Sequence, residues 1–307
     1  MSLRTLCVIF NHPLNKGGRF KALLRYMKWH IGSRLVPGDV VHNWVGEIKF
    51  IASTTDTGLI GNIYCGLWDF QEMAYTFHVL TKDDLFVDVG ANAGAYTLLA
   101  CAGSRARGYS IEPIPSTFAK LVTNVNLNNL VDRVKCLNIG VGAQQGTIPF
   151  TSDQNVANHA VSKGEDTAQI VNVPILPLDT VLQHDSPSML KIDVEGYEVP
   201  ALRGASQVLK SETLHSVILE MNGLGWRYGF YDKCIMEMLK SVGFNCYDYA
   251  PFSRQLRIVK DEDFSRQLRI VQDKNSYCKN VLFIRDIEYV REKIRNAPAM
   301  HINGRQI

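Results

Sequence analysis

The chain has 307 residues, of which 46% are hydrophobic and 21% are charged, and its formal net charge is +3. This composition is typical of a globular protein, with one large α/β domain and an appendage or with two small domains. The small net charge is no argument for nucleic-acid binding, and no apolar stretch approaches the roughly 18 residues that span a bilayer.

Seven cysteines are spread along the chain, and no two of them have CxxC spacing. An odd number without that spacing argues against a disulfide scaffold or a zinc site and favours a reducing compartment. The apolar run 6–10 is too short for a signal peptide, and Asn11 and His12 follow it at once. We therefore expect a cytoplasmic protein.

Residues 1–80 are predicted to form a small N-terminal helical/β extension, and residues 81–307 the main domain. The first 38 residues include seven Lys or Arg and no Asp or Glu. Apolar residues with helical spacing predict an amphipathic helix: Phe20, Leu23, Leu24, Met27 and Ile31. Either this helix packs on the main domain with a solvated basic face, or it is a surface for an anionic lipid or a phosphorylated substrate. Turn residues follow at 58–64, and a second helix is predicted over 70–80.

From Asp84 onward, short apolar runs alternate with helical patterns, which predicts a mostly parallel sheet with helices on both faces. Seven runs are predicted to be strands: Leu85–Val89, Tyr109–Glu112, Val134–Ile139, Ser188–Ile192, Ser216–Glu220, Phe244–Tyr249 and Val281–Arg285. The polar stretch 151–169 is long for a connector, as lids and binding loops often are. The octapeptide 252–259 recurs at 264–271, which indicates a local duplication in the hairpin between the last two strands.

The first predicted strand runs into a glycine-rich loop, Asp88–Gly94. Gly90 and Gly94 allow a tight turn and a close approach of a ligand to the main chain, and the helix that follows offers N–H groups to an anion. In open α/β sheets, ligands bind at this carboxyl edge of the strands. The dinucleotide motif G-x-G-x-x-G has a glycine where this loop has Asn92, which disfavours an NAD(P)-dependent oxidoreductase. Asp88, two residues before Gly90, is instead typical of S-adenosylmethionine (SAM) sites.

Glu112 ends the second predicted strand. A carboxylate at this position can accept both hydroxyls of a ribose, which SAM and NAD share. Alternatively, Glu112 is a charge at the N-terminus of the helix after Pro113. The predicted cofactor contacts are Asp88, Gly90, Ala91, Asn92, Gly94, Glu112, Pro113, Gly140 and Asp193.

Three segments together, Asp88–Gly94, Ile111–Pro113 and Leu190–Glu198, resemble the FkbM family of SAM-dependent methyltransferases. The resemblance runs from about Gly61 to Arg285. It implies a class I SAM-dependent methyltransferase fold, which is Rossmann-like, with a seven-stranded sheet of order 3-2-1-4-5-7-6 and an antiparallel last strand. It also implies an enzyme that uses SAM to O-methylate sugars, polyketides or other hydroxylated metabolites.

Methyl transfer to an alcohol requires an aligned acceptor and the removal of a proton. Asp193 and Glu195 follow the fourth predicted strand, where either could orient the acceptor hydroxyl or take its proton. Alternatively, Asp193 binds the amino group of the cofactor and Glu195 caps the next helix. His159, in the polar stretch, is a further candidate base because its pKa suits neutral pH. Glu220, at the end of the fifth strand, either faces the acceptor or forms a salt bridge.

The segment after the fourth strand also bears on the acceptor. It reads Asp193-Val-Glu-Gly196, whereas methyltransferases of nucleobase amines commonly have an Asn/Asp-Pro-Pro-aromatic motif. No basic stripe with interleaved aromatic residues is present either. We therefore predict a small-molecule or glycan acceptor and no nucleic acid, and we assign no metal, because two carboxylates alone do not establish a Mg²⁺ site. A non-catalytic SAM-binding protein and a homo-oligomer both stay open.

Overall fold

The computed structural model describes residues 3–36, 38–54, 56–152, 157–162, 165, 167, 169–260 and 279–307. The second copy of the octapeptide, at 264–271, lies outside these residues, and so do parts of the polar stretch 151–169. None of the helices in the described ranges has the length and apolar character needed to cross a bilayer.

Within its described residues, the N-terminal extension contains four α-helices and one hairpin. They are α1 (Leu3–Asn11), α2 (Arg19–Leu35), β1 (Val40–Asn43), β2 (Lys49–Ala52), α3 (Thr57–Cys65) and α4 (Phe70–Val79). The two hairpin strands are antiparallel. Helix α3 occupies the region where turn residues stand in the sequence, so packing overrides local preference there.

The rest of the chain alternates strands with helices as predicted. The strands are β3 (Leu85–Val89), β4 (Arg107–Ile111), β5 (Val134–Leu137), β6 (Gly140–Val141), β7 (Gly146–Thr151), β8 (Ile170–Leu176), β9 (Met189–Ile192), β10 (Ser216–Met221), β11 (Asn245–Ala250), β12 (Gln255–Ile258), β13 (Lys279–Ile284), β14 (His301–Ile302) and β15 (Arg305–Gln306). The helices are α5 (Ala95–Leu98), α6 (Pro115–Leu127), α7 (Leu178–Leu182), α8 (Glu198–Arg203), α9 (Asp232–Ser241) and α10 (Ile287–Asn296). A π-helical turn, Leu99–Gly103, continues α5.

The main sheet has the strand order β5-β4-β3-β9-β10-β13-β11-β12 among the described residues. Strands β4, β3, β9 and β10 pair in parallel, whereas β13 is antiparallel to both of its neighbours. The predicted class I methyltransferase fold is therefore confirmed, including the antiparallel last strand. The strand count differs, because the first copy of the octapeptide forms an eighth strand, β12, against β11.

A second sheet is inserted between β5 and β9. In the part of the chain that the structure describes, it has three strands in the order β6-β8-β7, and β7 and β8 form an antiparallel hairpin. The polar stretch 151–169 is the connection of that hairpin. The sequence analysis predicts only a polar connector here and misses the sheet on either side of it.

Both faces of the main sheet are buried, as expected for parallel strands covered by helices. Successive residues of β3 point to opposite faces, so Phe86 packs in one core and Val87 in the other. The core around Phe86 also contains buried residues from the N-terminal extension and from the C-terminal hairpin, such as Phe50 and Ile302. Helices α8 and α9 cover the opposite face. The extension and the main sheet thus share one core, while the boundary at residue 80 stays a prediction.

Helix α2 forms where the amphipathic pattern predicts it, but it packs through the other face. The buried side chains are those of Ala22, Tyr26 and Trp29, whereas the predicted apolar face includes Phe20, which is 72% exposed. The guanidinium of Arg25 anchors the packed face by donating to the carbonyl of Tyr64. The helix therefore packs on the shared core, and Leu23 of the predicted face contacts that core, but the rest of the predicted apolar face is exposed.

Candidate active site

The glycine-rich loop joins β3 to α5, and its first glycine lies against the backbone of the neighbouring strand. Gly90 has a φ of 78°, a left-handed conformation that favours glycine. A Cβ added there would lie 1.8 Å from the carbonyl oxygen of Asp193. The approach of the two strand ends thus requires a glycine here, in addition to the tight turn and the close ligand approach expected from the sequence.

Two further left-handed residues, Asn92 and Gly94, complete the turn. Asn92 has a φ of 50°, and its side-chain oxygen accepts from the backbone N–H of Ala93 at 2.7 Å. Gly94 has a φ of 94° and immediately precedes α5. A Cβ added at Gly94 would lie 2.8 Å from the side chain of Leu121. This is the turn chemistry that Asn and Gly provide at positive φ.

Glu112 links the end of β4 to this loop. Its Oε2 accepts from the backbone N–H of Asn92 at 2.9 Å, and its Oε1 accepts from the N–H of Ile114 at 3.0 Å. The side chain is buried, and burial raises its pKa to about 7. Each carboxylate oxygen has a second acceptor position, so Glu112 can hold the start of α6 and still bind ligand hydroxyls.

A cavity of about 1120 Å³ lies at the carboxyl ends of β3, β4, β9 and β10. Nine of the predicted site residues line it: Asp88, Gly90, Ala91, Asn92, Glu112, Pro113, Gly140, Asp193 and Glu195. Gly94 and His159 are not part of its wall. The fold therefore brings most of the predicted cofactor contacts and two of the three candidate catalytic residues together.

A buried lysine, Lys191, organises the floor of the cavity. Its Nζ donates to Asp193 Oδ2 at 2.9 Å and lies 4.7 Å from the centre of the Tyr96 ring. The hydroxyl of Tyr96 donates in turn to Asp69 at 3.1 Å. Burial alone would lower the pKa of Lys191, but the carboxylates of Asp193 and Asp88 raise it above its ordinary value. Lys191 is therefore a cation, and it fixes the carboxylate of Asp193.

Glu195 projects from the turn after β9, where it has a φ of 53°. The side-chain amide of Asn222 donates to Glu195 at 3.2 Å and to Glu220 at 2.8 Å, which orients both carboxylates. Burial, together with the nearby charges of Asp193 and Glu198, raises the pKa of Glu195 to about 8. One oxygen each from Asp193, Glu195 and Glu220 lies within 4.8 Å of the others. Such a group can bind acceptor hydroxyls or a cation, and the sequence analysis assigns no metal.

Glu198, and not Glu195, caps the turn before α8. Its Oε1 accepts from the backbone N–H of Gly196 at 3.0 Å and from that of Val194 at 3.3 Å. Glu198 thus holds the turn that leads into α8, whereas the helix-capping role considered for Glu195 is not seen in the described residues. Glu195 is left facing the cavity.

His159 lies away from the cavity wall. The ring is buried, with Nδ1 at 2.8 Å from the carbonyl of Ala157 and Nε2 at 2.8 Å from Glu165. Glu165 is held in turn by the backbone N–H and the hydroxyl of Ser162. Both ring nitrogens are thus engaged in holding the connection between β7 and β8.

The model of the methyltransferase FkbM domain matches residues 88–246, just over half of the chain. The chain belongs to the FkbM methyltransferase family. The matched range includes the glycine-rich loop, Glu112 and the Lys191–Glu198 segment. The interpretation as an NAD(P)-dependent oxidoreductase is thereby set aside.

Two curated relatives extend the match. This FkbM methyltransferase is 25% identical to methyltransferase sdnD of Sordaria araneosa over 210 residues, 57% of this chain and 79% of the relative. It is 29% identical to hexuronic acid methyltransferase AglP of Haloferax volcanii over 146 residues, 46% of this chain and 57% of the relative. Among solved structures, it is similar to an FkbM methyltransferase from Methylobacillus flagellatus, with a TM-score of 0.44 and 13% identity, over 76% of this chain and 61% of the other.

Some residues of this methyltransferase site were missed by the sequence analysis. Lys191 stands inside the Leu190–Glu198 motif, and a lysine in a fully apolar strand is a signal that could have drawn attention to it. Asp69 has no such signal, because it lies in the extension and reaches the site only through the fold. Lys16 and Arg305 likewise have no sequence signal, because only the fold brings these distant residues to the cavity wall.

Proposed function

We propose that this protein transfers a methyl group from SAM to a hydroxyl group of a small molecule or glycan. The observation that carries the proposal is the placement of Glu112, Asp193 and Glu195 around one cavity, at the carboxyl edge of the sheet of an FkbM-family protein. The relative AglP is named as a hexuronic acid methyltransferase, which supports a sugar acceptor.

One observation that does not depend on the family supports SAM binding at the end of the cavity formed by Asp88 and Glu112. Asp88 lines the cavity, and its buried Oδ1 has no hydrogen-bond partner in the part of the chain that the structure describes. Buried acceptors are nearly always paired, so a donor on a bound ligand would satisfy this atom. Glu112 would accept ribose hydroxyls, and SAM would supply an electrophilic methyl carbon on a sulfonium.

Asp193 and Glu195 have different properties in this scheme. Asp193 is paired with the Lys191 ammonium, and a carboxylate held in this way serves best as an anionic acceptor for a cofactor ammonium or an acceptor hydroxyl. Glu195 has a pKa of about 8, close to the operating pH that favours general-base catalysis. We infer that Glu195 accepts the proton of the acceptor hydroxyl.

Neighbouring residues position these groups. Asn222 orients Glu195 by a hydrogen bond to one oxygen, which leaves the other oxygen available for a hydroxyl proton. Tyr197 and Phe150 form part of the cavity wall beside these groups. Since methyl transfer requires acceptor, carbon and sulfur in line, such fixed walls contribute directly to the rate.

The test has two steps. Calorimetry with SAM, S-adenosylhomocysteine and NADH identifies the cofactor, and ligands that bind the native state also raise the melting temperature. Mass spectrometry of methyl incorporation into a panel of hexuronic acids, neutral sugars and other hydroxylated metabolites then identifies the acceptor. Binding of NADH without binding of SAM would refute the proposal. Tight SAM binding without methyl incorporation into any hydroxyl would instead favour a non-catalytic SAM-binding protein.

A further inference from the structure

The outward face of α2 is a continuous apolar surface, here called the α2 stripe. It consists of five side chains that are 46–76% exposed: Phe20, Leu24, Met27, Ile31 and Leu35. At 3.6 residues per turn, these side chains fall within an arc of about 80°. Single exposed apolar residues are ordinary, but a stripe that runs the length of a 17-residue helix marks a binding surface.

Basic residues border the α2 stripe on both sides. In the same projection, Lys21 and Lys28 lie on one flank and Arg34 on the other, and all three are exposed. Two more exposed basic residues, Lys16 and Arg19, lie just before the helix and at its start. No Asp or Glu occurs in the first 38 residues. A second copy of this chain would bring like charges together around the apolar contact, whereas an anionic surface would complement them.

We propose that α2 docks this protein on the surface of an anionic lipid bilayer. The α2 stripe would lie in the boundary between headgroups and acyl chains, and the flanking lysines and arginines would contact lipid phosphates. An amphipathic helix with an apolar face and a basic border binds in the interface plane in this way. Tyr26 and Trp29 hold the opposite face of α2 in the core, so the helix is formed before it binds and no ordering cost reduces the affinity.

The direct probe is co-sedimentation of the full chain with lipid vesicles. We expect binding to phosphatidylcholine vesicles that contain about one third phosphatidylglycerol and little binding to pure phosphatidylcholine. Each basic residue close to an anionic surface strengthens binding about fivefold. Binding should therefore weaken when the salt concentration rises from about 0.1 M to about 1 M, because the Debye length falls from about 10 Å to about 3 Å.

Two variants separate the apolar and the charged contributions. The triple variant Phe20→Ser/Leu24→Ser/Ile31→Ser should lower the partition coefficient at least about 100-fold, because fully burying one such side chain is worth about tenfold or more. The matched control is Val131→Ser, which removes an apolar side chain that is 62% exposed elsewhere on the surface. It should bind as the wild type does. Lys21→Glu/Lys28→Glu should lose the preference for phosphatidylglycerol.

Three outcomes would overturn the proposal. The first is a wild-type protein that does not sediment with the anionic vesicles. The second is equal sedimentation of the wild type and the triple variant, provided that circular dichroism shows both to be folded. The third is a dimer in sedimentation equilibrium that the triple variant abolishes, because the α2 stripe would then be the contact with a second copy of this chain.

Discussion

Replacing Gly90 with alanine is expected to destabilise the protein for two separate reasons. The backbone at this position has a φ of 78°, which costs a residue with a Cβ about 1–2 kcal/mol. The new methyl group would also lie 1.8 Å from the Asp193 carbonyl oxygen, well inside any real contact. Because that oxygen belongs to the backbone at the end of β9, relief requires the two strand ends to separate.

The chain offers a matched control for the backbone contribution. Gly229 has a φ of 79°, and a Cβ added there meets nothing within 4 Å. Gly229→Ala should therefore cost only the left-handed penalty, about 1–2 kcal/mol. Gly90→Ala should cost about 1–3 kcal/mol more, the usual range for forcing an extra methyl group into a packed site.

Thermal and urea unfolding of the two variants measures the difference. For a chain of this size, an extra loss of about 1–3 kcal/mol corresponds to roughly 1.5–5 °C in melting temperature. SAM affinity should fall in Gly90→Ala as well, because Asp193 moves with its carbonyl. Equal stability of the two variants would refute the reasoning. If SAM affinity alone were lost, ligand approach would be the reason for the glycine after all.

Three further predictions concern the cavity. Glu195→Gln should slow methyl transfer by about 10²–10⁴-fold with SAM affinity nearly unchanged. The wild-type rate should rise with pH and level off above about 8, as Glu195 becomes deprotonated. A pH-independent rate would exclude Glu195 as the base. Glu112→Ala should weaken calorimetric SAM binding by roughly 1.5–3 kcal/mol, the value of a charged hydrogen bond, and unchanged affinity would remove Glu112 from the ribose site. His159→Gln should lower the melting temperature but leave the turnover of the folded protein within about twofold, because the ring nitrogens of His159 hold a loop. A loss of turnover comparable to that of Glu195→Gln would restore His159 as a catalytic candidate.

The mostly parallel sheet and the glycine-rich loop were predictable from local patterns in the sequence, whereas the strand order was expected only from the resemblance to the FkbM family. Short apolar runs that alternate with helices determine a parallel sheet, and the run after Asp88 contains the residues that a left-handed turn needs. Residues that follow parallel strands meet at one sheet edge, so the proximity of Glu112, Asp193 and Glu195 also follows from their positions in the sequence.

Other features depend on tertiary packing and were not predictable. A helical pattern indicates an apolar face but not which face the protein covers. In α2 the aromatic side chains of Tyr26 and Trp29 are buried, whereas the more regular apolar stripe is exposed. For His159, the sequence indicates a titratable ring but not its two partners. Which of Glu195 and Glu198 accepts the N–H groups of the turn before α8 depends on the left-handed conformation of Gly196, whose φ is 101°.

The two ends of the chain meet beside the cavity. Arg305 Nη1 donates to the carbonyl of Pro13 at 2.7 Å, and Asn303 donates to the carbonyl of Cys65 at 2.8 Å. The guanidinium of Arg305 also lies over the ring of Phe252 in the cavity wall, 4.1 Å from its centre. During synthesis, the part of the cavity wall around Pro13 therefore cannot form its contact with Arg305 until residue 305 has left the ribosome. The wall of the cavity is complete only once these two segments, which lie far apart in the sequence, have folded against each other.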